Sequence, residues 1–457
     1  MSNFQEFLES KRHSSQSFGI EPLWLPDKMF DYQKHVAEVT IRKGRWADFL
    51  DTGLGKTLIE LVVAHNYVLS TNKPVLIITP LSVAFQFLKE AEKFGIDDVE
   101  YSREGKYTKK IVICNYERLK HFEPSDFDCV ILDESSLLKN SKGAMREQVT
   151  SFLKKVKYRF LFTATPAPND FIELGTSSEA LGYLGYTDML TKFFKNNEGT
   201  ISPQNIGTKW RLKGHAETGF FEWVSSWALI MRMPSDIGFD DSRHILPRLI
   251  ENDHWVNNDK PLVINGQYQM FNIVARTSQE ILAERRATVE KRCEKAAELA
   301  SAHETSVYWA NLDDEANIVE RLDPNATQIK GPMKIEQKEE ILLAFLEGQI
   351  KHLVTKPTIT SFGLNWQHCH HTTVFPSFSF EQYYQLVRRF LRFGQQNEVI
   401  VDRVFSDGQK RVAEAQEAKA KKSDELYTRL KENVNRDFRV PITGFDTPVE
   451  LPTFLTT

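Results

Sequence analysis

Four short apolar runs constrain the fold more than any other feature of this sequence: "PVLIITP" (74–80), "KIVICNY" (110–116), "DCVILDE" (128–134) and "YRFLFTAT" (158–165). Helical segments separate them. Runs that stay apolar at successive positions suit strands covered on both faces, and the helices between supply the crossovers of a parallel sheet. A second series repeats the plan: "SVYWAN" (306–311), "KHLVTKP" (351–357), "HTTVFP" (371–376) and "VIVDRVF" (399–405). The stretch between them, roughly 182–260, is rich in Gly, Asn and Trp and carries little strand pattern. The expected fold is α/β, with two parallel-sheet lobes in tandem and an inserted, partly helical segment. We expect a weakly ordered segment over 1–20, a first lobe over 21–181, the insertion over 182–260, a second lobe over 261–407, and a C-terminal helix and tail over 408–457. The charged run "GQKRVAEAQEAKAKKSDELYTRLKENV" reads as a helix with a mostly solvated surface.

At 457 residues the chain has room for two or three domains, each with a core. Hydrophobic content of 41% and charged content of 26% fit a globular protein in water. No apolar run is long enough to cross a bilayer, and "MSNFQEFLESKRHSSQS" lacks a signal-peptide core. These features lead us to expect a cytoplasmic location and no membrane partner. Cys114, Cys129, Cys293 and Cys369 have no paired spacing, which suggests a reducing compartment and no structural zinc. "HCHH" (368–371) has ligand-type residues, but neighbours on a strand point to opposite faces and converge poorly on one ion. The net charge of −4 decides nothing about nucleic acid, since a polyanion binder need only gather its lysines and arginines on one surface.

"FLDTGLGKTLIEL" (49–61) has the chemistry of a phosphate-binding loop, although Leu50 stands where the usual pattern has its first glycine. Gly53, Leu54 and Gly55 can turn backbone N–H groups inward, and the helix that follows adds a partial positive charge. Lys56 would reach the β- and γ-phosphates, and the Thr57 hydroxyl would ligate magnesium. The same residues could merely be a glycine turn capping a helix, so a partner motif must decide. "CVILDESS" places Asp133 and Glu134 at the C-terminal end of a buried strand, the edge where active groups of open α/β sheets collect. Asp133 suits Mg2+, and Glu134 suits activation of an attacking water. "LFTATPAPND" adds Thr163 and Thr165, which could bond the acidic pair. Far along the chain, "EQYYQLVRRFLRFGQ" (381–395) sets Gln385, Arg389 and Arg392 at helical spacing, with the two arginines on one face. Arginines brought to a γ-phosphate from a second lobe are worth on the order of 10³ to 10⁵ in rate.

"DTGLGKT", "DESS", "TATP", "SFGLN" and "QLVRRFLRFGQ" follow the motif order of superfamily 2 helicases. The last closely resembles the closing motif of the Swi2/Snf2 branch, and the compact plan is similar to short Snf2-like helicases of bacteriophage and prophage genomes. The resemblance covers roughly 24–405. It implies two RecA-like lobes, ATP and Mg2+ as cofactors, and duplex or branched DNA gripped by its backbone. It implies that Gln33 of "FDYQKHVAEV" reads the base edge and that Gly363 and Gln385 belong to the nucleotide site. It implies nucleic-acid contacts for Thr79 and Pro80, for Asn115 and Tyr116, and for Asn365. Three departures stand out: Leu50 and Asp51 replace an acidic pair, Arg388 replaces a typical aspartate, and Ser135 and Ser136 replace Ala/Gly-His. None removes a residue that hydrolysis requires. In "GTKWRLKGH", Lys209, Trp210, Arg211 and Lys213 interleave charge with a stacking surface and are further nucleic-acid candidates. Three uses of the energy stay open: a DNA helicase or duplex translocase, which the closing motif favours, an RNA-dependent helicase, and a nucleotide-gated binding module with hydrolysis as its timer.

Overall fold

The structure, a computed structural model, describes residues 18–80, 83–139, 143–168, 170–196, 210–257, 262–264, 267–269, 278–360, 366–377 and 379–435. The first sheet begins with β1 (Arg45–Leu50), β2 (Val75–Thr79), β3 (Val99–Tyr101), β4 (Ile111–Asn115), β5 (Cys129–Leu132) and β6 (Tyr158–Phe162). An antiparallel ribbon, β7 (Phe194–Asn196) with β8 (Trp210–Leu212), follows, and β9 (Ala228–Met231) then returns to the sheet. Its strands are all parallel and run in the order β3-β4-β2-β5-β6-β1-β9. Successive side chains on a strand face opposite ways. Val75 and Ile77 therefore join one apolar cluster, with the helices Asp31–Lys43, Lys56–Thr71 and Ala84–Phe94, while Leu76 and Ile78 join another on the far face. Covering both faces is why these strands stay apolar at every position.

The second sheet contains β10 (Leu249–Val256) and, after a small hairpin of β11 (Leu262–Ile264) and β12 (Gln267–Gln269), β13 (Ser306–Trp309), β14 (Ala326–Gln328), β15 (His352–Thr355), β16 (His371–Val374) and β17 (Val399–Ser406). It is also parallel, in the order β10-β17-β16-β13-β15-β14. Val307 and Trp309 face one cluster, and Tyr308 faces the other.

Two regions differ from the sequence reading. The stretch 182–260 is partly helical, but it also contributes β9 to the first sheet and β10 to the second. The apolar "ALIM" of β9 pairs with β1, the strand that leads into the phosphate loop. The charged helix Lys410–Val434 is exposed along most of its surface, as expected, but it also carries a buried stripe. It leaves the second lobe and buries Leu426, Tyr427, Leu430 and Val434 in the core of the first. At roughly 1.5–3 kcal/mol for each large buried apolar side chain, this seam is a substantial cross-lobe attachment. It ends where the Asn435 side chain bonds both backbone groups of Ile230 in β9.

Candidate active site

The first lobe builds half of a cleft at the C-terminal ends of β1, β2, β5 and β6. Gly53 and Gly55 sit at φ +89° and +81°, which L side chains rarely adopt, so the turn into the helix Lys56–Thr71 needs them. Lys56 Nζ donates to the carbonyls of Leu50 and Asp51 at 2.9 and 3.2 Å, holding the mouth of the loop together. Behind the loop, the carbonyl of Leu54 accepts from Tyr32 Oη and Gln33 Nε2, both at 3.1 Å. The Gln33 side chain also accepts from the Phe30 N–H at 3.0 Å, so it braces the loop from behind. The Leu54 side chain turns into the core.

Asp133 and Glu134 follow β5 directly. Thr79 Oγ1 donates to Asp133 Oδ2 at 2.7 Å, and Tyr116 Oη donates to the Asp133 carbonyl at 2.7 Å. Burial and then the charge of Glu134 push the Asp133 carboxyl up to about 6, with Thr79 and Lys56 pulling the other way. Glu134 has φ +55°, a strained value for a side-chain-bearing residue and one that clusters at functional sites. Its Oε1 accepts from Ser136 Oγ at 2.9 Å and from Thr163 Oγ1 at 3.0 Å, so one of the departures from the family pattern holds the acid in place. Thr165 lies one step behind, its N–H donating to Thr163 Oγ1. Sequence reasoning missed Glu60, on the helix that begins at Lys56. It is fully buried, neither carboxylate oxygen has a hydrogen-bond partner, and burial followed by the Asp133 charge pushes it well above the usual carboxylate range.

The second lobe supplies the other half. The helix Phe380–Val387 ends before the arginines, which occupy the turn that follows rather than one helix face. Gln395 folds that turn. Its Nε2 donates to the carbonyls of Gln367, Cys369 and Phe390, and its Oε1 accepts from the N–H groups of Gln396 and Asn397. The Gln in Arg-x-Gly-Gln thus shapes the turn and leaves the cleft to Arg389 and Arg392. Burial and neighbouring Arg392 push the Arg389 guanidinium down to about 9, against the attraction of Glu134. Burial pushes Arg392 down to about 10, with Glu90 opposing. Converging buried cations are costly without compensation, and a polyphosphate would provide it.

Both halves line one cleft of roughly 370 Å³. Gly53, Gly55, Lys56, Thr57, Asp133 and Glu134 face Gln385, Arg389 and Arg392 across it. Gln385 Nε2 is buried there without a hydrogen-bond partner. Pro80 also lines this cleft, as do Tyr384, Arg388 and Phe393, none of which the motif reading had assigned to it.

Other candidates fall elsewhere. Thr79, Asn115 and Tyr116 are buried and face the acidic pair or, for Asn115, Glu117. They offer no surface to a nucleic-acid backbone, because a polar residue at a strand's end can turn inward as readily as out. Trp210 and Arg211 on β8, and Lys213 just after it, stand beside a surface hollow that Lys195, Lys422 and Arg429 also line. Trp210 leans on the first-lobe core, and Lys213 Nζ donates to the carbonyls of Thr191 and Lys192 at the end of a helix. Gly363, Asn365 and Lys209 lie outside the described residues. Within "HCHH", His371 bonds Ser306 and Asp402, and His368 packs on Phe345. Among the described residues, no group of three or more His, Cys, Asp or Glu could hold a metal ion.

A family described as "Type III restriction enzyme, res subunit" matches residues 27–168. An uncharacterized ATP-dependent helicase of Bacillus subtilis (strain 168), YqhH, is 30% identical over 194 residues, 39% of this chain and 34% of that protein. A SWI/SNF-related matrix-associated actin-dependent regulator of chromatin subfamily A-like protein 1 of Xenopus tropicalis is 28% identical over 150 residues, 31% of this chain and 16% of that protein. The chain thus spans about a third of the first relative's length and about a sixth of the second's. Among solved structures, S. cerevisiae dbp5 bound to gle1 and ip6 matches with a TM-score of 0.51 at 11% identity, covering 88% of this chain and 92% of that one, a likeness of fold. The motif order and these relatives make the chain similar to superfamily 2 helicases of the Swi2/Snf2-like branch, and its two parallel-sheet lobes share their fold.

Proposed function

We propose that the chain is an ATP hydrolase that works as a motor on DNA, as a helicase or as a translocase on duplex or branched substrates. One observation carries this reading: the phosphate loop and acids of one lobe and the arginines of the other line a single cleft. Lys56 and the loop's N–H groups bind and orient the triphosphate. Glu134, fixed by Ser136 and Thr163, takes the proton of the attacking water. Arg389 and Arg392 neutralise charge that develops on the transferring phosphoryl group. Thr57 and Asp133 both line the cleft, and a hydroxyl with a carboxylate is the donor set that suits magnesium. When bound there, Mg2+ would neutralise phosphate charge beside the two carboxylates. Because the site needs both lobes, ATP favours their closure and hydrolysis releases it.

DNA is favoured as the polymer by the descriptions of the relatives, a restriction-enzyme subunit and a regulator of chromatin. The hollow lined by Lys195, Trp210, Arg211, Lys422 and Arg429 is the surface we assign to backbone contact. A cytoplasmic setting accords with four buried, free cysteines. No helix among the described residues is long and apolar enough to cross a membrane.

The deciding experiment measures ATP turnover with single-stranded, duplex and forked DNA and with RNA at matched salt. Stimulation by duplex or forked DNA, with displacement of a bound third strand, supports the motor. Stimulation by RNA alone, or tight binding without displacement, overturns it.

A further inference from the structure

The residue that opens the phosphate loop is held from both lobes. The Asp51 N–H donates to the Met231 carbonyl of β9 at 2.8 Å, and its carbonyl accepts from Lys56 at 3.2 Å, which fixes its backbone on the first lobe. Its side chain, only 5% exposed, points to the second. Oδ1 accepts from Tyr384 Oη at 2.9 Å as well as from its neighbour, the Thr52 N–H, at 2.7 Å. Oδ2 lies 3.1 Å from an Nη of Arg388. Arg388 caps the helix that carries Tyr384, its N–H donating to the Tyr384 carbonyl at 3.1 Å, and the guanidinium sits 5.1 Å over the phenol ring. Burial alone would lower the Arg388 pKa, yet the Asp51 carboxylate holds it above the usual guanidinium value.

This contact is unlike the cross-lobe pairing of Arg103 with Glu336 and Glu339, whose partners are 3.7 Å apart, with Arg103 and Glu336 exposed and Glu339 half-buried. Charges of that kind are screened and contribute little, whereas a desolvated pair holds its geometry. Asp51 and Arg388 are also two of the positions at which the chain departs from the family pattern, and the departures meet. Arg388 is bonded to Arg389 along the chain, so anchoring one restricts where the other points. Lobe and loop already touch nearby: a Cβ on Gly53 would lie 2.9 Å from the Phe393 backbone nitrogen.

We infer that Asp51, Tyr384 and Arg388 form a cross-lobe clasp that positions Arg389 against the bound nucleotide and supplies part of the closure without it. The three are positioning residues. The inference rests on the proposed catalytic cleft, but its geometry can be read without catalysis.

The test combines a double-mutant cycle with solution scattering on the full chain. Asp51→Asn and Arg388→Gln should each lower kcat at least tenfold while KM for ATP changes less than threefold. The double variant should lose no more than the worse single, because both remove the same contact. Tyr384→Phe, which keeps the ring, should lose roughly threefold by the same logic. Without nucleotide, both charge variants should show a larger radius of gyration than the parent. Additive losses, a rise in KM with kcat unchanged, or unchanged scattering would each overturn the clasp. If the parent shows no ATP turnover, the proposed function fails, and the scattering arm still decides whether the clasp holds the lobes.

Discussion

The two sides of the cleft are built on different principles. On the first lobe the site is set by backbone shape and, Asp51 apart, by hydrogen bonds that stay within that lobe. Gly53, Gly55 and Glu134 hold positive φ, and Thr79, Tyr116, Ser136 and Thr163 each bond the acidic pair. On the second lobe the functional groups ride on a turn after an eight-residue helix, and its two arginines lie near one another, Arg389 buried and Arg392 half-buried. One side holds its glycine turn and its acids from within. The other is a concentration of positive charge that faces acids across the cleft: Glu134 attracts Arg389, Glu90 attracts Arg392, and Asp51 pairs with Arg388. A preorganised half can therefore hold nucleotide before closure, and the charged half can discriminate between closed and open lobes.

That contrast is broken most directly by removing one group from each side. Glu134→Gln and Arg389→Ala should each lower turnover by on the order of 10³-fold or more. The arginine variant should still bind ATP, since the phosphate loop does the holding. If titration shows lost ATP affinity in Arg389→Ala, the second lobe is as much a part of ground-state binding as the first. Next in size is the attachment between lobes. Leu430→Ala should cost about 3 kcal/mol in denaturant unfolding, with the loss felt in the first lobe, whose core the residue joins. A loss below the range of a surface substitution would mean the helix does not share that core.

A smaller effect sharpens the account of the first lobe. Thr79→Val removes one hydrogen bond to the Asp133 carboxylate and should lower turnover roughly tenfold while DNA affinity stays within twofold. Reduced DNA affinity with normal turnover would return Thr79 to the nucleic-acid surface. The smallest effect concerns Asp48, beneath the loop in β1. Burial pushes its carboxyl up to about 7, although Thr40 Oγ1 and Trp46 Nε1 donate to it. A raised folded-state pKa means that the folded chain holds the proton more tightly than the unfolded chain. This group's stabilisation is therefore complete below about 4 and is lost as pH rises through about 7. Asp48→Asn should shrink the fall in melting temperature between pH 5 and pH 8, and an unchanged fall would assign the pH dependence to other groups.

What could be read from the sequence follows the range of each interaction. The paired sheets and the loop, acids and arginines are carried by contiguous residues with a fixed period or spacing, and they were legible. The four residues of β9 were not, because their strand partner lies in β1, and a run that short suits a helix equally well. Arg389 and Arg392 were placed on a helix because a spacing of three fits one. Gln395, whose amide takes up carbonyls around the turn, closes a different shape. Thr79 and Tyr116 could not be oriented, since a sequence shows that a strand end is polar but not which way it faces. The meeting of Asp51 with Arg388 depends on two lobes coming together, which local pattern cannot encode.

The return of the helix Lys410–Val434 to β9 has a mechanical consequence. The lobes are joined once by the strand-to-strand passage from β9 to β10, and again by this helix, anchored at Asn435 beside the same β9. Bodies tied at two places keep one easy freedom, rotation about the line through the ties, while sliding and twisting are resisted. A motion about that line would return the guanidinium groups to the same spot above the glycine turn.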